Sequence, residues 1–137
     1  MPSFSQSSLD KLASCHPDLQ KLFNEVIKHY DCTIIEGYRS AEDQLKAFNA
    51  GKSKIKVSGK HNQKPSLAVD VAPWPINWAA RERFYHFAGF VRGIAATLGI
   101  AIRWGGDWDS DFVLNDQTFY DLPHFELLDA APSCAKA

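Results

Sequence analysis

The sequence has few cysteines, no long apolar run and almost no net charge. Cys15, Cys32 and Cys134 are odd in number and show no CxxC spacing, which argues against both a disulfide framework and a thiolate zinc site. No apolar stretch approaches the ~18 to 20 residues that span a bilayer, so we expect no membrane insertion. With 15 basic and 16 acidic residues, the chain lacks the positive field by which general nucleic-acid binders displace counterions. We therefore expect no nucleic-acid partner.

The N-terminal segment also lacks the pattern of a secretion signal. Residues 1–9 contain neither a basic start nor an apolar stretch, and a secretory signal needs both. We therefore expect synthesis in the cytoplasm, so that a role outside needs another exit route. The 137 residues suit one domain, 1–137, and we expect a monomer with an Ala-rich tail that is frayed from about residue 129.

Hydrophobic periodicity predicts helices interleaved with short strands. Apolar residues at spacings of three and four predict a helix beginning near Pro17 and a longer one over 79–98. Ser40, followed by Asp43, is an N-cap signal for a further helix that ends at Gly51. The predicted strands cover 32–36, 67–72, 100–104 and 125–128. This order, with hairpin-length connections late in the chain, favours an α+β fold with a mainly antiparallel sheet.

Two further segments carry expectations about packing and exposure. Gly89 and Gly93 lie inside the long helical pattern, where each glycine costs about 1 kcal/mol relative to alanine, and this suggests close packing against a neighbour. Residues 51–65 contain five lysines and little periodicity, so we expect an exposed loop. That loop is either a solvated face or a rim that attracts substrate.

Two of the five histidines lie outside the helical segments. His61 lies in the polar loop, and His124 directly precedes the last predicted strand. Asp70 lies in an apolar strand, where an unpaired carboxylate is expensive to bury, so we expect a cation or a positive partner nearby. Zinc favours imidazole and carboxylate ligands, and a catalytic zinc uses three of them so that the fourth position holds water. These three residues are candidates for such a site; individually, each also fits a surface or salt-bridged role. For the other histidines we expect structural roles: His16, His29 and His86.

Two more residues suggest catalytic chemistry. Asp121 precedes His124 by three residues, so its carboxylate could reach a metal-bound water and pass the proton to a leaving amine. Arg39, just after the first strand, is a candidate to hold a carbonyl oxygen as negative charge develops, although it also fits the pattern of a surface arginine. Residues 107–111 carry three aspartates, which suit either a solvated turn or a calcium loop.

Four blocks of sequence follow one another along most of the chain. They are residues 37–40 with Gln44, Phe48 and Gly51; His61 with 68–70; 104–108; and 121–126. Together they resemble the zinc peptidases that include D-alanyl-D-alanine carboxypeptidases, related dipeptidases and the L-alanyl-D-glutamate endopeptidases of phage lysis cassettes. The resemblance implies that His61, Asp70 and His124 bind Zn²⁺. It also implies that Asp121 is the general base and acid, and that Arg39 polarises the scissile carbonyl.

The same resemblance implies a fold, a substrate and a site of action. The implied fold is the small α+β fold shared by D,D-peptidases and the hedgehog signalling domain. Among the members of this family, the compact ones, to which this chain is similar in size, most resemble endopeptidases that cut the L-alanyl-D-glutamate bond of peptidoglycan stem peptides. Such an enzyme serves lysis or holin-linked protein export, and it reaches the periplasm and cell wall through pore-mediated release. Trp104, Asp107 and Trp108 would lie near the cleft as packing or rim residues.

Two alternatives stay open, and the sequence departs from the common motif in two places. The alternatives are a D-alanyl-D-alanine carboxypeptidase or dipeptidase, and a non-catalytic zinc-binding module. Gly59 stands where the family usually has serine, and Lys64 where it usually has glycine. Asp70 follows His61 by nine residues rather than the usual seven. A longer loop is tolerated because closure entropy grows slowly with length, so these departures concern the substrate rim more than the metal.

Overall fold

A computed structural model describes residues 2–51, 59–115 and 120–128. Within these ranges the elements are, in chain order, α1 (Gln6–Ala13), α2 (Pro17–Val26), β1 (Cys32–Glu36), α3 (Ala41–Asn49), a 3₁₀ turn (Lys60–Asn62), β2 (Ala68–Pro73), α4 (Arg81–Leu98), β3 (Ile102–Trp104) and β4 (His124–Leu127). The fold is α+β, which confirms the predicted class. The expected frayed tail and residues 52–58 of the lysine-rich segment lie outside the described residues.

The four strands form one antiparallel sheet in the order β1-β2-β4-β3. β2 is central, with Ile34 of β1 opposite Val71 and with Phe125 of β4 opposite Val69. The mainly antiparallel sheet is therefore confirmed. The expected hairpin-length connection is wrong, because residues 105–123 separate the neighbouring strands β3 and β4. This connection is long because it carries an acidic loop and the approach to β4.

The helices begin at the side-chain caps that their sequences supply. Ser40 accepts a hydrogen bond from the Asp43 backbone N–H at 3.1 Å, which confirms the predicted cap of α3. His16 Nδ1 accepts from the Asp18 backbone N–H at 3.0 Å at the start of α2, so this histidine has the expected structural role. Helix α1 was not predicted, because Leu9 and Leu12 are its only large apolar residues and are too few to show a repeat. That helix is capped by Ser5, whose hydroxyl accepts from the Ser8 N–H.

The apolar core lies between one face of the sheet and helices α2 and α4. Phe125 is fully buried and makes edge-on contacts with Phe23 of α2 at 5.5 Å and Phe87 of α4 at 6.1 Å between ring centroids. Because side chains alternate along a strand, Val69 and Val71 face this core while Asp70 faces the other side. The pleat therefore puts the polar residues of β2 and β4 on the opposite face.

The long helix α4 is present, but its glycines do not have the expected role. A Cβ added at Gly89 or Gly93 would meet nothing within 4 Å beyond the helix itself, and both positions are exposed. The expected close packing is therefore wrong, because these glycines lie on the solvent face of α4. Among the described helices, none is both long enough and apolar enough to cross a membrane.

Candidate active site

Three side chains from distant parts of the chain meet at one point beside the sheet. Asp70 of β2 lies directly opposite His124, the first residue of β4. The 3₁₀ turn brings in His61, whose Nε2 lies 3.3 Å from Asp70 Oδ1. His124 Nδ1 lies 3.3 Å from the same oxygen. One ligand atom from each residue lies within 4.8 Å of the others, so the structure brings together all three predicted metal ligands.

The separations of these atoms suit a tetrahedral metal. Zinc bonds of ~2.0 to 2.1 Å to nitrogen and oxygen put neighbouring ligand atoms about 3.3 Å apart on a tetrahedron. The two nitrogen-to-Asp70 distances, each 3.3 Å, match this value. Two imidazoles and one carboxylate are also ligand types that zinc accepts. The site can therefore hold a metal ion with a fourth position left for water.

Both histidines are buried and oriented by a second hydrogen bond. His61 is 5% exposed and donates from Nδ1 to the Gly37 carbonyl at 2.7 Å. His124 is 7% exposed and donates from Nε2 to Glu126 Oε1 at 2.8 Å. Each ring therefore has its other nitrogen directed at Asp70. A surface role for His61 is excluded by this burial.

The electrostatics of the cluster favour a positive charge at its centre. Burial by itself would raise the pKa of Asp70, but hydrogen bonds from His124 and His61 hold that pKa well below its usual range. Burial would lower the pKa of His124, but hydrogen bonds to Asp70 and Glu126 raise it to about 9. The carboxylates thus stabilise a cation at this point, whether it is a proton on the imidazole or a metal ion.

Asp121 lies beside the three ligands without joining them. Its Oδ2 is 3.8 Å from His124 Nδ1, and its backbone is held by hydrogen bonds to Gly105 and His124. Burial, followed by the negative charge of Asp70, raises the pKa of Asp121 to about 6. A Cβ at Gly105 would overlap the Asp121 carbonyl oxygen, so glycine at that position is what lets the chain carrying Asp121 approach so closely.

Arg39 is held at the other side of Asp70. The guanidinium donates to Glu36 Oε1 at 2.7 and 3.1 Å and to Gln44 Oε1 at 2.8 Å, and it approaches Asp70 Oδ2 at 3.6 Å. Arg39 is 8% exposed, so the alternative of a surface arginine is wrong. Burial with fixed partners gives the guanidinium a defined position next to the metal ligands.

The tryptophans and aspartates of the following loop have different surroundings. Trp108 lies against His124, with ring centroids 5.3 Å apart, and therefore borders the site. Trp104 is buried in the core and donates to the Leu122 carbonyl. Asp107 is fully buried and pairs with Arg92 of α4 at 3.0 Å. Trp108 therefore lies against a predicted metal ligand, whereas Trp104 and Asp107 are buried.

The acidic segment forms a cluster whose buried member is already partnered. Asp107, Asp109 and Asp111 each offer a carboxylate oxygen within 4.8 Å of the others. Asp107 also accepts from the backbone N–H groups of Asp111 and Phe112 at 3.3 and 2.8 Å. These hydrogen bonds, together with the ion pair to Arg92, hold the segment in a turn around Asp107. Calcium binding at this segment was the less favoured alternative, and these contacts do not test it.

One buried residue of the site was not among the sequence candidates. Glu126 is 5% exposed and contacts His124, Arg103 and Lys60. Burial raises its pKa, but hydrogen bonding to His124, followed by the His124 charge and the Arg103 pair, lowers the pKa to about 2. The period-two spacing of His124 and Glu126 on one strand could have indicated that both side chains share a face.

The fold and the ligand cluster define an α+β protein whose sheet carries a His-Asp-His cluster able to hold a metal ion. The sequence model of the family described as phage L-alanyl-D-glutamate peptidase matches residues 2–128. The chain therefore belongs to the phage L-alanyl-D-glutamate peptidase family. This membership confirms the family and the class of enzyme, a peptidase, that the sequence predicted.

Individual relatives agree with the family assignment. The L-alanyl-D-glutamate peptidase of Escherichia phage T5 is 29% identical over 133 residues, which cover 91% of this chain and 97% of that protein. The crystal structure of the Serratia marcescens L-Ala D-Glu endopeptidase ChiX matches with a TM-score of 0.73 and 26% identity, over 98% of this chain and 95% of that one.

Two more distant structures share the fold. The LD-carboxypeptidase LdcB matches with a TM-score of 0.53 and 18% identity, over 86% of this chain and 59% of that chain. The vancomycin-resistance D,D-dipeptidase VanXYg was solved with a D-Ala-D-Ala phosphinate analogue. It matches with a TM-score of 0.50 and 17% identity, over 86% of this chain and 50% of that chain. These similarities concern the fold, and they confirm its predicted D,D-peptidase-like character.

Proposed function

We propose that this protein hydrolyses the L-alanyl-D-glutamate bond of peptidoglycan stem peptides, with Zn²⁺ held by His61, Asp70 and His124. The observation that carries the proposal is the pair of 3.3 Å separations from the two imidazoles to one Asp70 oxygen. Family membership over residues 2–128 supports the bond that is cut. The nitrogen and oxygen donors support zinc as the metal.

Asp121 and Arg39 have separate roles in the proposed hydrolysis. When bound, zinc supplies an acidified water and polarisation of the scissile carbonyl. Asp121, 3.8 Å from His124, takes the proton from the attacking water and delivers it to the departing amine of D-glutamate. Arg39, held by Glu36 and Gln44, stabilises the carbonyl oxygen as negative charge develops there.

The position of Asp121 and Arg39 distinguishes an enzyme from a module that only binds metal. Metal binding alone needs neither residue, yet both approach the ligand cluster, Asp121 at 3.8 Å from His124 and Arg39 at 3.6 Å from Asp70. An acid–base group next to one ligand and a guanidinium next to another suit hydrolysis of an amide bond. This arrangement favours catalysis over a non-catalytic zinc-binding module.

Digestion of purified cell wall tests the reaction. We expect the zinc-loaded protein to release peptides that begin with D-glutamate and to leave L-alanine on the glycan strands, as measured by mass spectrometry. A chelator should stop the release, and added zinc should restore it. Loss of only a terminal alanine would instead identify a D-alanyl-D-alanine carboxypeptidase, and hydrolysis of the free D-alanyl-D-alanine dipeptide would identify a dipeptidase. Absence of any product with zinc restored would contradict the proposal.

We further propose that the enzyme acts on the wall from the periplasm after release through a holin-type pore, in lysis or in protein export. The support is membership of a phage peptidase family. Expressed in bacteria together with a holin, the protein should cause a rapid fall in culture turbidity, and each gene expressed singly should not. An equal fall without the holin would contradict release by this route.

A further inference from the structure

We propose that Glu126 is a positioning residue that sets which nitrogen of His124 faces the metal, an inference that rests on the proposed metal site. His124 donates from Nε2 to Glu126 Oε1 at 2.8 Å, and its Nδ1 lies 3.3 Å from Asp70 Oδ1. A neutral imidazole carries one N–H, and its other nitrogen has a free lone pair. A carboxylate acceptor at Nε2 keeps the proton there, so Nδ1 is left to bind the metal.

The other histidine ligand is arranged with its nitrogens exchanged. His61 donates from Nδ1 to the Gly37 carbonyl and directs Nε2 at Asp70. The two rings therefore present different nitrogens to the same carboxylate oxygen. In each case the nitrogen that faces Asp70 is the one left free by the second hydrogen bond. For His61 that partner is backbone, whereas for His124 it is a side chain that can be replaced.

Glu126 is itself held in place by two cations on its second oxygen. Arg103, directly opposite on β3, donates to Oε2 from Nη2 at 2.6 Å and from Nε at 3.1 Å. Lys60 approaches the same oxygen at 3.6 Å. This arrangement leaves Oε1 for His124. Because Glu126 is 5% exposed, the paired charges also make it possible to bury the carboxylate.

The same contacts join the two segments that carry the histidines. Lys60 precedes His61 in the 3₁₀ turn and also donates to the Leu127 carbonyl of β4. Glu126 therefore touches one ligand directly and the turn of the other ligand through Lys60. Loss of this carboxylate should loosen the metal site, and the apolar core on the opposite face of the sheet should remain packed.

Zinc affinity and imidazole NMR of the full chain test this inference. Glu126→Ala should weaken zinc binding about 10- to 100-fold, measured by competition with a chromophoric chelator. It should also remove the protected Nε2–H signal of His124 from ¹⁵N-resolved spectra of the zinc-loaded protein. Glu126→Gln keeps an acceptor oxygen, so it should retain the Nε2–H signal and recover most of the affinity. The matched control Glu82→Gln, an exposed carboxylate on α4, should leave both measurements unchanged.

The outcomes separate this inference from the proposed function. Wild-type affinity and an unchanged Nε2–H signal in Glu126→Ala would overturn the role of Glu126 while leaving the metal site intact. Failure of the wild-type chain to bind zinc would overturn the metal site itself. If Glu126→Ala does not fold, zinc affinity and the Nε2–H signal of Glu126→Gln test the role of Glu126. The neutral amide of this variant makes a weaker hydrogen bond than a carboxylate, so the Nε2–H proton should move upfield and zinc affinity should fall, by less than the about 10- to 100-fold expected when the partner is lost. No change in either would overturn the inference.

Discussion

Asp121→Asn is expected to lower turnover of the stem-peptide bond by about 10³-fold, within the range of a general acid–base group, while zinc content stays at the wild-type level. Asparagine has nearly the same shape but cannot accept the proton of the attacking water. Asp121 Oδ2 lies 3.8 Å from His124 Nδ1, beside the ligand cluster and outside it. Turnover is measured by release of amino groups from purified wall, and zinc content by elemental analysis of the same preparations.

Asp10→Asn is the matched control for this prediction. Asp10 is an exposed aspartate of α1, so the same change of charge there should leave turnover and zinc content at the wild-type level. If Asp121→Asn loses zinc together with activity, Asp121 holds the metal or the fold, and its assignment as the base is wrong. Full activity in Asp121→Asn would contradict the assignment as well.

His61→Ala is expected to reduce zinc content to background and turnover by at least about 10³-fold, because metal activation of water and carbonyl contributes several kcal/mol. Removing one imidazole leaves two protein ligands where a catalytic zinc uses three. The rest of the site should persist, since Asp70 and His124 belong to paired strands of the sheet. Zinc content after gel filtration and turnover with excess zinc provide the two measurements.

His29→Ala provides the control for loss of an imidazole as such. His29 is exposed and its partner is Glu25, at 3.4 Å, far in sequence from the cluster. This variant should keep wild-type zinc content and turnover. Undiminished, chelator-sensitive activity in His61→Ala would place the catalytic metal elsewhere. Activity that resists chelators in the wild-type chain would contradict metal catalysis altogether.

Several features of the fold follow from local sequence patterns. The cap at Ser40, the start of the helix at Pro17 and the central strand that carries Asp70 were each predicted and are present. Such signals act over a few residues, through a hydrogen bond to a neighbouring N–H or an apolar stripe of fixed period. The helix over Gln6–Ala13 was missed because it is short and has only two large apolar residues, Leu9 and Leu12, which are too few to show a repeat.

The environment of each candidate residue depended on contacts that local patterns do not contain. The sequence pattern around Arg39 is that of a surface arginine, yet in the structure its guanidinium contacts Glu36, Gln44 and Asp70. The interior glycines of α4 suggested close packing, yet Gly89 faces open space. Which side of a helix meets a neighbour, and which carboxylate meets a guanidinium, are set by how the elements pack together.

By itself, the sequence determined the ligand types, the order of the motifs and the family to which the chain belongs. Those properties reside in residue identity and spacing along the chain. Only the tertiary structure decided that His61, Asp70 and His124 converge, and that Glu126 orients one of the imidazoles. Strand register and the placement of the 3₁₀ turn bring these residues together over sequence separations that no local preference specifies.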